Sequence, residues 1–180
     1  DIMKKISYFY KYLLYRFKKK KNLDKLIIDY DNLNDLFNYF GSDKGTYIKH
    51  PYDKKSDFIK GHGFAKYYEL HLENLRQKKF NLLEIGTWKG ASAASFCKYF
   101  QNANIVSIDR NFKIQFSSSR LYFYNCNTTK TEEVLNLVQI LNKKNFKKFD
   151  IIIDDGSHLL SDIIKNFVFF FNFLNPGGFY

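Results

Sequence analysis

Beyond Phe80 the chain alternates short apolar runs with stretches of helical character. The runs are Leu82-Leu83-Glu84-Ile85-Gly86, Asn104-Ile105-Val106-Ser107-Ile108-Asp109, Leu121-Tyr122-Phe123-Tyr124 and Phe149-Asp150-Ile151-Ile152-Ile153-Asp154. Their apolar residues are consecutive rather than alternating, so each reads as a strand buried on both faces. Helices fill the intervals near residues 91–100, 131–142 and 159–173. Strand and helix in turn predict an α/β fold, a Rossmann-like doubly wound parallel sheet with helices on each side.

The upstream third has a different pattern. Residues 2–17 mix Ile, Leu, Tyr and Phe with Lys and Arg and are followed by four lysines. This is a helix with too many charges and too short an apolar run to span a bilayer. No small-residue cleavage site follows, which argues against a signal peptide. The segment is expected to pack on the domain or on a neighbouring subunit of a homo-oligomer, with peripheral docking on an anionic membrane as the rival reading. A second helix is expected over residues 32–40, stopped by Gly41, and a third over residues 64–77. Between them residues 41–63, with Gly45, Pro51 and Gly61, read as loop. The expected organisation is a basic, aromatic N-terminal helical extension (1–40), a loop and helix shaping the cavity entrance (41–79) and a Rossmann-like core (80–180). A fifth strand is expected to start only at Phe179, leaving the sheet incomplete at the C-terminus with a bare apolar edge beside residues 149–154.

Charge changes this picture little. The net charge is +11, but residues 1–22 carry eight basic side chains against one acid, and the rest is only mildly basic. With no helix-turn-helix or RNA-binding signature, a nucleic-acid partner is not expected. Cys97 and Cys126 are too few for a disulfide framework or a zinc site, so a reduced, cytoplasmic setting is the default, with membrane association as its variant. Neither is a favoured nucleophile.

Candidate chemistry lies at the carboxyl ends of the strands, where open parallel sheets bind ligands. Gly86 and Gly90, in Glu84-Ile85-Gly86-Thr87-Trp88-Lys89-Gly90, form a glycine-bearing turn from strand to helix. Their spacing is not the Gly-x-Gly-x-x-Gly of pyrophosphate-binding dinucleotide enzymes, which disfavours a nicotinamide-dependent reductase. Asp109 ends the next strand, 23 positions after Gly86, where an acid can accept hydrogen bonds from both hydroxyls of a ribose. The pair points to a nucleoside cofactor without phosphates, of which S-adenosylmethionine is the common one. Asp154 and Asp155 close a later strand, Gly156 lets the chain turn, and Ser157 is placed to cap a helix beginning near His158. Adjacent carboxylates suit a hard cation such as Mg²⁺. His158, three residues after Asp155, is a candidate base.

Leu83-Glu84-Ile85-Gly86 and the acid of Ser107-Ile108-Asp109 resemble the cofactor motifs of class I S-adenosylmethionine-dependent methyltransferases. Adding Gly41-Ser42-Asp43-Lys44-Gly45, residues 62–69, Asp154-Asp155-Gly156-Ser157-His158 and Pro176-Gly177-Gly178, the chain is similar to macrolide and deoxysugar O-methyltransferases, a family that includes cephalosporin hydroxylase-like proteins. The resemblance implies Glu84, Gly86, Gly90, Asp109 and Asp154 as cofactor-binding residues, Asp155 as a Mg²⁺ ligand and His158 as base for a sugar hydroxyl. It implies O-methylation of a sugar or glycosylated metabolite, with a catalytically incompetent binding or assembly module as the alternative. Two departures stand out. The resembling enzymes complete the metal site with an acidic pair after the strand that Phe179-Tyr180 begins, so this fragment alone is expected to be inactive. They also place Gly-Asp-Gln near the adenine, where this chain has Asn125-Cys126-Asn127. His62 is expected at the substrate entrance and His71 in a structural role, while Asp43 and Lys44 are expected to fix the loop.

Overall fold

The computed structural model describes residues 2–48 and 59–180. His50, Pro51 and the middle of the expected loop lie outside the described residues. In chain order the elements are α1 (Ile2–Phe17), β1 (Lys21–Asn22), α2 (Leu33–Phe40), β2 (Tyr47–Ile48), β3 (Ile59–Lys60), α3 (Ala65–Leu72), β4 (Asn81–Ile85), α4 (Ala91–Tyr99), β5 (Asn104–Asp109), β6 (Phe116–Ser117), β7 (Leu121–Asn125), α5 (Thr131–Lys143), β8 (Phe149–Asp154), α6 (Leu160–Phe170) and β9 (Leu174–Phe179). The main sheet has five strands in the order β7-β5-β4-β8-β9, and every pairing within it is parallel. After β4 the chain steps outward through β5 to β7, then returns to lay β8 on the other side of β4. The strand order therefore reverses between β4 and β8, which is where such sheets open a ligand crevice.

Successive residues of the central strands serve opposite cores, as the two-residue strand period requires. Leu82, Ile105 and Ile151 join one cluster with Phe96 and Phe100 of the α4 region and Leu33, Leu36 and Phe37 of α2. Leu83, Val106, Ile108 and Ile152 join the other with Leu137 and Leu141 of α5 and Phe170 of α6. Phe37 and Phe96 meet edge to face at 5.3 Å, the arrangement favoured by the ring quadrupole. The α2 helix begins where Asn32 accepts a hydrogen bond from Asp35 N at 2.8 Å and ends at Gly41, whose φ of 79° is left-handed. Behind β5 the Arg120 guanidinium donates to the Cys97, Phe100 and Ala103 carbonyls at 2.6 to 2.8 Å, satisfying the end of α4.

One expectation is corrected here. The last strand does not begin at Phe179; it occupies Leu174–Phe179, pairs Leu174 with Phe149 and Phe179 with Ile151, and shifts register between them. Pro176 lacks an N–H and Gly177 has a φ of 77°, so the segment reads as a turn in sequence, yet both are tolerated on an edge strand. With β9 in place, β8 has a neighbour on each side and the bare edge beside residues 149–154 does not exist.

The α1 helix lies on the surface. Tyr8 and Tyr12 meet Phe112 edge to face and Tyr15 meets it at a tilt, with ring centroids 5.3 to 5.9 Å apart, while Ile6, Phe9, Tyr10 and Phe17 face solvent. Among the described residues no helix is long and apolar enough to cross a membrane.

Candidate active site

The turn after β4 is built against the turn after β8. Gly86 has a φ of 85°, and a Cβ there would sit 2.3 Å from the Asp155 carbonyl oxygen and 2.4 Å from Gly156 Cα. Asp155 N donates to Ile85 O at 2.9 Å in the same seam, and Gly86 N donates to Ile108 O at 2.8 Å on the opposite side. Only glycine permits that approach together with that φ. Gly86 thus fixes the ends of β4, β5 and β8 relative to one another.

A cavity of about 610 Å³ opens over these strand ends. Ile85, Gly86, Trp88, Ile108 and Asp109 form one side, Cys126, Asn127, Thr128 and Thr129 another, and Asp155, Ser157 and His158 a third. Asp109 is almost buried, and its carboxylate is aimed by two amides: Trp88 N donates to Oδ2 and Asn111 N to Oδ1, each at 2.7 Å. Trp88 carries a φ of 47°, unusual for a residue with a side chain, and the bond from its amide to Asp109 holds it there. Cys126 N donates to Asp109 O at 2.9 Å, tying the end of β7 to the same corner. Burial, with a smaller contribution from Glu133, pushes the Cys126 thiol up to about 12.

Of the residues singled out in sequence, Gly86, Asp109, Asp155 and His158 meet around this cavity; Glu84, Gly90 and Asp154 do not line it. Gly90 precedes α4 with a φ of 84°, and a Cβ there would strike Ile114 at 2.5 Å. Asp154 turns inward, where Asn166 Nδ2 donates to one oxygen at 3.0 Å and Gly156 N to the other at 3.2 Å. Burial raises its carboxyl, and these two bonds oppose the rise. Ser157 does not cap a helix at His158: α6 begins at Leu160, and the Ser157 hydroxyl donates to Asp162 Oδ2 at 2.7 Å. His158 is left ahead of the helix, exposed to the cavity.

Glu84 is fully buried and accepts a hydrogen bond from the Ser92 hydroxyl. Burial raises its carboxyl, and the charge of Lys44 is the largest influence against that rise. Lys44 comes from the entrance loop, where Phe64 N donates to its carbonyl at 2.8 Å and Gly63 N to that of Gly45 at 2.9 Å. The Lys44 side chain passes under this loop and bonds Asp155 Oδ2. Burial alone would lower the ammonium, but the Glu84, Asp155 and Asp43 carboxylates outweigh it and hold Lys44 above the usual lysine value. The sequence contains no signal that joins two residues 111 positions apart. Asp43, half exposed, also lines the cavity, and His62 Nε2 lies 3.9 Å from its Oδ2.

No family model matches the chain. It is 27% identical over 128 residues to the mycinamicin VI 2''-O-methyltransferase of Micromonospora griseorubida, covering 66% of this chain and 30% of that protein. It is 29% identical over 126 residues to the L-olivosyl-oleandolide 3-O-methyltransferase of Streptomyces antibioticus, covering 66% and 31%. The chain thus matches about a third of the length of these curated relatives. Among solved structures, the MycE methyltransferase of the mycinamycin pathway in complex with Mg and SAH is similar with a TM-score of 0.65. Its identity is 24%, over 82% of this chain and 36% of that one. The chain has the class I methyltransferase fold, and its relatives are macrolide sugar O-methyltransferases.

Proposed function

We propose that the protein, a homologue of macrolide sugar O-methyltransferases with their class I fold, transfers the methyl group of S-adenosylmethionine to a hydroxyl of a sugar on a small-molecule glycoside. The observation that carries this reading is Asp109, whose two oxygens are oriented by the Trp88 and Asn111 amides in the cavity that His158 and Asp155 also line, with β4 between the strand ends that bear the two acids. Each Asp109 oxygen keeps a lone pair for one hydroxyl of a ribose. Ile108 and Cys126 supply an apolar surface for the adenine, and Asn127 and Thr129 supply polar groups at its rim. Gly86 keeps the turn low enough for the ligand to cross it.

The sulfonium of the donor brings an already activated methyl group. What remains for the chain is to align the acceptor oxygen with that methyl and to take its proton. His158 is the residue on the cavity wall suited to accept the proton. Asp155 fits as one carboxylate ligand of a Mg²⁺ ion, which usually takes one or two carboxylates and fills its shell with water and substrate oxygens. Such an ion would supply a Lewis acid for the acceptor oxygen. Among the described residues no cluster of three acids, histidines or cysteines suited to a metal occurs. Glu84 and Asp154 act from behind the wall, Glu84 through Lys44 and Ser92, Asp154 by holding the Gly156 turn. In this reading residues 80–180 are the catalytic core, residues 41–79 shape its entrance, and residues 1–40 are a peripheral extension. The exposed aromatic and basic residues of α1 are the surface that docking on a membrane or a second subunit would use.

The test is methyl transfer by the full-length protein to a panel of deoxysugar glycosides, followed by mass spectrometry. His158→Ala should lower kcat about 10²- to 10⁴-fold, the usual contribution of a positioned base, while S-adenosylhomocysteine affinity stays unchanged. Undiminished turnover in that variant, or no binding of S-adenosylhomocysteine to the wild type, would overturn the proposal.

A further inference from the structure

Lys44 is the one basic residue buried among the described residues, at 4% exposure, and a buried lysine requires paired charge. Its ammonium bonds Asp155 Oδ2, lies 3.9 Å from Asp43 Oδ1 and faces the fully buried Glu84. Its place is set by backbone rather than by its own flexible stem. His62 N donates to Asp43 O at 2.7 Å, Phe64 N to Lys44 O at 2.8 Å, and a Cβ on Gly61 would lie 2.1 Å from Gly45 O. Residues 43–45 are thereby locked to residues 61–64, which holds the Lys44 backbone in place.

We propose that Lys44 is a positioning residue that fixes the Asp155 carboxylate by one oxygen and, as a resident cation, limits how tightly a divalent ion is held at that acid. Two consequences oppose each other, which makes the role distinguishable from a structural one. The ammonium orients the carboxylate, so the acceptor and its ion are correctly placed. Its charge also repels a divalent ion that shares the carboxylate, so the ion is held loosely. A lysine that merely supported the fold would, when removed, weaken ion binding and turnover together.

The inference rests on the proposed methyl transfer only for its catalytic half. The ion-binding half is read with Mn²⁺ alone, as free-ion signal in electron paramagnetic resonance, on the full-length protein. Lys44→Met should tighten Mn²⁺ at least about tenfold, because a unit charge beside a divalent ion is removed. Adding Asp155→Asn should abolish the gain. Methyl transfer in Lys44→Met should nevertheless fall at least about tenfold in kcat, with the affinity for S-adenosylhomocysteine retained. Should Lys44→Met fail to fold because Glu84 is left without a counter-charge, Lys44→Met combined with Glu84→Gln is compared with Glu84→Gln alone, and the loss of the ammonium between those two should shift Mn²⁺ in the same direction. Unchanged or weaker Mn²⁺ binding in the folded variant, or no Mn²⁺ binding in either protein, would overturn the assignment whatever the fate of the methyl-transfer reading.

Discussion

Replacing Gly86 by Ala perturbs the seam on which the whole site depends. The added methyl would fall 2.3 Å from Asp155 O and 2.4 Å from Gly156 Cα. Both distances are more than about 1 Å inside ordinary contact. Neither atom is the end of a side chain that can swing aside, so the turns after β4 and β8 must separate. The Asp155 N to Ile85 O bond of 2.9 Å lies in that seam and would stretch with it. A Cβ in the left-handed region costs roughly 1–2 kcal/mol, and overpacking a closed seam roughly 1–3 kcal/mol more. The sum is about 2–5 kcal/mol, or a fall in Tm of roughly 5–15 °C for a chain of this size. Gly41→Ala is the matched control: its φ of 79° is as strained, but nothing lies within 4 Å of the added Cβ. Urea denaturation of both variants, followed by circular dichroism, separates strain from clash. If Gly86→Ala is no more destabilised than Gly41→Ala, the close approach of the two turns is not what holds the site together.

Arg120→Ala removes the donor of three carbonyls at 2.6 to 2.8 Å behind α4 and should lower stability by about 1.5–3 kcal/mol in the same denaturation experiment. Arg120→Lys should recover only part of it, since an ammonium cannot reproduce the planar fork. Cys97 and Cys126 are buried and free, and burial raises both thiols, that of Cys126 to about 12. At pH 8 the Cys126 thiolate is then about one part in 10⁴, so neither thiol should react with a disulfide reagent until denaturant is added. Prompt reaction of the native protein would show that one of them is not buried.

The central sheet was legible because β4, β5 and β8 are apolar at consecutive positions, a pattern that only a strand covered on both faces tolerates. Asp109 was legible for a related reason: it ends β5 where the sheet opens. The same pattern marks the end of β8, although there it is Asp155, one residue past the strand, that lines the cavity while the terminal Asp154 turns inward. Three features were not legible. The β9 strand is hidden by Pro176-Gly177-Gly178, whose local preference is a turn and whose strand geometry comes from pairing with β8. Glu84 looks like a cavity acid in sequence, yet it shares the face of Leu82 and points into the layer under α4, where Ser92 and Lys44 meet it. The Lys44 to Asp155 pair depends on how residues 42–46 and 61–64 lock together, and no local pattern encodes that contact.

Calorimetric titration of S-adenosylhomocysteine into the wild-type protein and into Asp109→Ala tests the central claim most directly. The account predicts one site in the wild type, weakened about 10- to 150-fold in the variant by loss of 1.5–3 kcal/mol of hydrogen bonding to a charged group. Equal affinity in the two proteins, or no binding to the wild type, would contradict it.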